Sequence, residues 1–308
     1  MKQLFTRNFT LLLLGQASSL LGNYTLRFAL SMFVLEETGS AATFAGILAV
    51  SMVPTILLSP LGGVLADRAN RRNIMVALDT LSGLAVLGAM ALFPPGDRVF
   101  LTGALLVILS VLGAFESPTV QACVPQMVEE SQLLRGNALV NQVSSLASLV
   151  TPFLGSLLYT AVGLSPIFLG TAVCFFLTAA LECFLRLGEQ PARPKESLGA
   201  ILKGDLAQGA RFLLREEPGI VKLLLLAALA SFFAAGTAVV GFPYLVRTVL
   251  GLSAELYGAA ESALGVAAIL GGVCVAALGG RLRLRSLAWV LGGIGLGLLP
   301  CGGVVLVP

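Results

Sequence analysis

Along this chain, apolar stretches of about twenty or more residues follow one another, separated by short polar breaks and one long one. They fall at roughly 10–34, 43–65, 74–93, 99–121, 139–161, 164–186, 219–246, 255–279 and 287–308. A hydrocarbon core about 30 Å thick takes about 20 residues of helix to cross. The pattern therefore predicts an all-α membrane protein with nine transmembrane helices, and the lipid bilayer as its first partner. Composition points the same way: 57% of the 308 residues are hydrophobic and 11% are charged, against about a quarter charged in soluble domains. Mean hydropathy is +0.95. Too little polar surface remains to cover a water-soluble particle, so soluble enzymes, nucleic-acid binders and disulfide-stapled secreted domains are all poor fits. The run after Lys2 and Arg7 continues past residue 30 without a small-residue cleavage site. It reads as a retained first helix rather than a signal peptide.

The basic residues give the orientation. With the N-terminus inside, the inner segments hold Lys2, Arg7, Arg68, Arg71, Arg72, Arg135, Arg186, Arg193, Lys195, Lys203, Arg211, Arg215, Lys222, Arg281, Arg283 and Arg285. The outer loops hold only Arg98 and Arg247, and Arg27 lies within the first span. Such a bias predicts a multi-pass protein of the cell inner membrane with a cytoplasmic N-terminus.

Much chemistry is absent. There is no histidine, hence no Ser-His-Asp triad, no Cys-His dyad and no histidine-bound zinc. The five cysteines (Cys123, Cys174, Cys183, Cys274, Cys301) are dispersed without a Cys-x-x-Cys pair, and no Walker-type lysine motif is present. Gly293, Gly295 and Gly297 lie inside an apolar run with neither a preceding strand nor a following acid, so they read as close-packing residues. The expectation is a protein that is not an enzyme, with no cofactor, no metal and no nucleic-acid partner.

The polar stretch 187–218 divides the chain into an N-terminal six-helix bundle (1–186) and a partial C-terminal bundle of three helices (219–308). Within it, Leu198, Ile201, Leu202, Leu206, Ala210 and Leu213 recur at helical spacing among Lys203, Asp205 and Arg211, which predicts an amphipathic helix on the inner membrane face. The two parts resemble each other. Thr38 to Gly46 has a counterpart in Leu250 to Gly258, and Leu61-Gly62-Gly63 before a basic loop recurs as Leu278-Gly279-Gly280 before Arg281, Arg283 and Arg285. Spans seven to nine therefore read as a second copy of spans one to three. Parallel halves joined by an inner-face linker are a transporter arrangement with the substrate cavity between them. On that repeat, a complete second bundle would need three further spans, so nine helices are present of an expected twelve. A chain ending there is expected to be unstable or inactive alone.

Between spans two and three the chain reads Gly63, then Asp67, Arg68, Arg71 and Arg72. This resembles the Gly-x-x-x-Asp-Arg-x-Gly-Arg-Arg signature of the major facilitator superfamily. Asn70 stands for the later glycine, as a residue that tolerates the left-handed backbone of a tight turn. Pro125 to Leu139, with its Asn137-Ala138, is similar to a stretch of the multidrug and macrolide-efflux branch. Thr151-Pro152-Phe153-Leu154-Gly155 resembles the Gly-Pro-x-x-Gly element of antiporters with Thr in place of the first Gly. The resemblance implies secondary active transport: proton-coupled efflux of amphipathic drugs or similar small molecules by alternating access. Asp67 and the arginines would form a gating motif, and Pro152 with Gly155 a helix-bend element that packs closely against the second bundle. Export of a siderophore or metabolite is an alternative within the same branch, and a non-transporting membrane remnant is one outside it.

Ionisable groups in the bilayer cost about 2.5–3.5 kcal/mol each and mark functional positions. Arg27, with Asn23 and Tyr24 one turn earlier, and Glu116 beside Pro118 are the deepest. Asn23, Arg27 and Glu116 are accordingly the candidates for the substrate and proton pathway, with Arg27 and Glu116 as a possible charge pair; a structural ion pair, or Arg27 reaching to the outer interface, is the plainer alternative. Asp79, Glu182 and Glu261 sit nearer span ends and are expected to be exposed at the interface. Phe115, Phe232 and Phe233 are candidates for an apolar lining. In a cysteine-free background, Arg98→Cys should react with an impermeant maleimide in intact cells and Arg68→Cys only after permeabilisation. The reverse pattern inverts the topology.

Overall fold

The computed structural model describes residues 5–93, 97–188, 204, 211–216 and 218–278. The helix order is α1 (Arg7–Thr38), α2 (Ala41–Arg68), α3 (Arg71–Leu92), α4 (Arg98–Met127), α5 (Leu133–Val162), α6 (Leu164–Cys183), α7 (Pro218–Ala235) and α8 (Ala254–Leu278). The polypeptide continues from α7 through wide π-type turns at Gly236–Gly241 and Leu245–Val249 around a short helical piece, Phe242–Tyr244. Pro243 cannot supply a backbone donor in this stretch, one established cause of such irregularity. No strand occurs among the described residues. The span predicted at 287–308 and the cluster Arg281, Arg283 and Arg285 lie outside them, as does most of the predicted surface helix at 198–213.

Polar N-caps set where α1 to α4 begin, each ahead of its apolar run. Thr6 Oγ1 accepts from the Phe9 amide, Ser40 Oγ from Thr43, and Asp97 Oδ1 from both Val99 and Phe100. At the other end of α1, Gly39 closes the helix with φ +58°, donating its amide to Leu35 O. Asn70 differs from expectation. No residue other than glycine has positive φ among those described, and Asn70 (φ −64°) is the N-cap of α3, its Oδ1 accepting from the Asn73 amide. An amide side chain here replaces the glycine by capping, not by permitting a left-handed turn.

Hydropathy and burial part company in an informative way. Helices α2, α3, α4, α5 from Arg135, and α6 are each long and apolar enough to cross a membrane, yet only 11% of the most apolar window of α2 is buried. Ile56 and Leu57 of α2 are 73% and 67% exposed, the pattern of a lipid-facing helix. The 32-residue α1 falls outside that set and is nonetheless the hub of the fold, packing on α2, α4, α5 and α6. Its Leu26, Ala29 and Leu30 join Leu105, Leu106 and Leu109 of α4 and Phe168 and Phe175 of α6 in one core. Phe9 and Leu12 join Met75, Val120, Cys123 and Leu185 in a second core near the Asp67 end.

Small residues and hydroxyls let these helices approach. A Cβ on Gly22 would lie 2.8 Å from Cys174 Cβ, and one on Gly15 would lie 3.2 Å from Thr178 Cγ2. Thr171 and Thr178 donate to the Gly22 and Gly15 carbonyls at 3.1 and 3.0 Å, and Ser18 donates to Cys174 O at 3.1 Å. Between lipid-embedded helices this close approach with hydrogen-bonded hydroxyls replaces the hydrophobic effect as glue. On α2, Gly62 meets α4 so tightly that a Cβ would collide with Ala114 O, whereas a Cβ on the motif glycine Gly63 meets open space. Gly62→Leu should therefore destabilise the bundle by about 1–3 kcal/mol and Gly63→Ala should not. Thermal unfolding of the purified variants checks the contrast.

Candidate functional site

The polar residues of α1 converge on two adjoining cavities. One, of about 440 Å³, lies between α1, α2 and α5 on one side and the Val239–Phe242 stretch and α8 on the other, lined by Phe28, Met32, Thr151, Phe242, Tyr257 and Glu261 among others. The second, of about 340 Å³, is lined by Gln16, Ser19, Asn23, Glu116, Asn141 and Ser144. Tyr24 and Arg27 line both. Arg27 Nε donates to Asn23 Oδ1 at 2.9 Å and Nη2 to Ser110 Oγ at 3.2 Å. Asn23, Arg27 and Glu116 thus border one space, but Arg27 is held by neutral oxygens and does not form the charge pair with Glu116 considered above. Neutral partners hold a cation in place without neutralising it, leaving a positive charge at the waist between an apolar and a polar chamber. Tyr24 and Ser144 hydroxyls meet across the polar chamber at 3.3 Å.

Asp79, Glu182 and Glu261 are not at exposed interfaces. Asp79 is 0% and Glu182 1% exposed, and Glu261 lines the larger cavity against Tyr257. Distance along a span gives depth, whereas rotation decides facing. Met75, Asp79, Ser82 and Val86 share one face of α3, all buried, and their spacing of three and four was the available signal. Phe232 is 73% exposed and neither it nor Phe115 lines either cavity; the Phe233 side chain and the residues 293–297 lie outside the described set.

At the Asp67 end, the signature residues form a tie between three helices. Arg71 Nη2 lies 3.5 Å from Asp67 Oδ1, its Nε donates to Ala66 O at 2.8 Å, and its Nη1 donates to Ala122 O of α4 at 2.7 Å. Arg68 and Arg71 border a shallow pocket with Gln126 and Leu187, whereas Arg72 keeps a buried Nε without a hydrogen-bond partner.

At the opposite end sits a clasp that sequence reading missed. Glu36 of α1 pairs with Arg247 beyond α7, and its other oxygen accepts from Tyr159 of α5 at 2.6 Å. Arg247 also donates to Leu252 O at 2.6 Å. Beneath it, Phe28 and Met32 of α1 pack with Val246, Ala254 and Tyr257, the Phe28 and Tyr257 rings stacking at 5.6 Å. Pro152 and Gly155 stand in the same seam: a Cβ on Gly155 would be 3.0 Å from Phe28 Cδ1, and one on Gly258 of α8 would be 2.5 Å from Pro152 O. The partners of the clasp are 211 residues apart, so neither periodicity nor a local motif could pair them.

Comparison with known proteins follows this geometry. The Major Facilitator Superfamily profile matches residues 12–308. Macrolide efflux protein A of Streptococcus pyogenes is 30% identical over 224 residues, covering 71% of this chain and 54% of that protein. Multidrug efflux pump Tap of Mycobacterium tuberculosis is 28% identical over 193 residues, covering 60% and 45%. The chain thus spans about half the length of these relatives. Among solved structures, a peptide transporter POT variant in complex with alafosfalin superposes with a TM-score of 0.56 at 15% identity, over 89% of this chain and 69% of that one, a likeness of fold. The helix order, the signature loop and a profile match over nearly the whole length place this chain in the Major Facilitator Superfamily, a family of multi-pass membrane transporters rather than enzymes.

Proposed function

We propose that this protein exports amphipathic, drug-sized molecules such as macrolides across the cell inner membrane by alternating access, driven by proton exchange, with its N-terminus in the cytoplasm. The observation that carries the reading is the paired cavity: an apolar chamber joined at Arg27 to a polar one. Such a space suits a ligand with a large apolar body and a few polar groups. The efflux relatives supply the substrate class.

On this reading the 1–186 bundle and the residues after 218 rock against each other around α1, with 187–218 as the cytoplasmic linker. The Glu36–Arg247–Tyr159 clasp closes the outer end, and Asp67 with Arg68, Arg71 and Arg72 closes the inner end in the opposite state. Pro152 forms the bearing on which α5 turns against α8, with Gly155 seating Phe28 of α1 beside it. Breaking the clasp removes hydrogen bonds to charged groups worth about 1–2 kcal/mol, a five- to thirty-fold change in the ratio of the two states.

Two outcomes are expected in cells expressing the gene that encodes this chain. Asp67→Asn should leave expression intact while lowering macrolide efflux severalfold, and unchanged efflux removes its gating role. Arg247→Ala should raise outer-side labelling of a cysteine at Met32 by about five-fold or more; equal labelling means that the clasp does not hold that end closed.

A further inference from the structure

Between α3 and α6 the carboxyl groups of Asp79 and Glu182 lie within hydrogen-bonding reach of each other, 0% and 1% exposed. One oxygen of Asp79 accepts from Ser19 Oγ of α1 at 3.2 Å. Its other oxygen and both oxygens of Glu182 have no hydrogen-bond donor. Three buried carboxylate oxygens facing one another without a donor are incompatible with two ionised groups, because each charge would be desolvated and would repel the other. Among the described residues the surroundings offer no counter-charge. The titratable groups nearby are Glu116 and Cys123 on α4 and Cys183 on α6. Arg71 approaches Cys123 and ties itself to Asp67 and Ala122, not to either acid. Among the described residues neither acid has a Lys or Arg partner.

A single proton resolves the arrangement. Placed between the two groups it converts an unpaired contact into an O–H···O bond and lowers the net charge of the pair from two to one. Access exists as well. Ser19, which bonds Asp79, also lines the polar cavity beside Glu116. Gln16, 7% exposed, sets its side-chain amide within hydrogen-bonding reach of Glu116 on the same wall. The unsatisfied buried acceptors of Asp79 and Glu182 behind this wall mark a site arranged to hold something small. No group of three His, Cys, Asp or Glu side chains suited to a metal ion occurs among the described residues.

We propose that Asp79 and Glu182 together bind one exchangeable proton, reached from the polar cavity through Glu116 and Ser19, and that this pair is the coupling site of the transporter. The proton leaves the Glu116 carboxyl, passes to the Ser19 hydroxyl as that hydroxyl gives its own proton to Asp79, and settles in the Asp79–Glu182 bond. Export is then tied to the protonation of a pair that lies inside the first bundle rather than in the substrate chamber. This assignment rests on the proton-driven reading above.

Infrared difference spectroscopy on the purified gene product in lipid nanodiscs tests it, as the pH is stepped through neutrality. The wild type should show the C=O stretch of a buried protonated carboxyl that disappears on raising the pH and shifts in deuterium oxide. Asp79→Asn and Glu182→Gln should each abolish that band, because the remaining carboxylate gains an amide donor and needs no proton, and Glu116→Gln should keep it. A band that persists in both single variants, or one that never titrates, overturns the site; so does loss of the band on replacing potassium by sodium at fixed pH, which would make this a cation site. Should either variant fail to fold, the wild-type titration and the sodium exchange still decide. A companion assay separates this claim from the transport reading. Glu182→Gln should abolish uphill, pH-driven macrolide export while retaining downhill exchange, and uphill export at wild-type rate contradicts the coupling role. Absence of any macrolide movement in the wild type, with the band titrating normally, overturns the substrate assignment and leaves the proton site standing.

Discussion

The fold depends on where α1 can put its polar side chains. Gln16, Ser19, Asn23, Tyr24 and Arg27 lie along one helix that lipid would reject, since hydrocarbon offers no partner for them. The solution is positional. α1 stands at the centre, its Leu26, Ala29 and Leu30 face seated in the main core and its polar face turned to the two cavities. The more apolar α2 takes the lipid-exposed place. Hydropathy and burial are inverted relative to a soluble bundle because the solvent is inverted.

From that placement the remaining features follow in order. A central helix with a polar face creates a polar chamber on one side and, where Phe28 and Met32 succeed Arg27, an apolar one on the other. α5 and α8 approach closely where Gly258 lies against Pro152 O and the Ser156 side chain, while Gly155 lets Phe28 of α1 seat beside them. Discrete polar ties sit at both ends: Asp67 and Arg71 join α2, α3 and α4 at one, while Glu36, Tyr159 and Arg247 join α1 and α5 to the stretch after α7 at the other. Each tie is worth little alone.

How much of this the sequence discloses depends on the kind of signal. Helices read well: each of the first six spans lies where its apolar run predicts, with N-caps such as Ser40 and Asp97 starting α1 to α4 a few residues early. Family membership read well too, since Asp67, Arg68, Arg71 and Arg72 form a local pattern. Rotational facing read poorly, and Asp79 and Glu182 show why. Their distance from the span ends suggested exposure, but α3 and α6 turn these carboxyls towards α1. Asn70 shows a different failure, a correct substitution tolerated for another reason. The Glu36–Arg247 contact is a property of tertiary packing alone.

The central claim is that the polar face of α1 lines the two adjoining cavities and its apolar face the core. Scanning α1 with single cysteines and a small water-soluble thiol reagent tests it most directly. Positions 20, 23, 27 and 31 should react, while positions 26 and 30, seated in the core, should not. Reaction that follows the 26 and 30 face, or no reaction along the helix, would contradict the account.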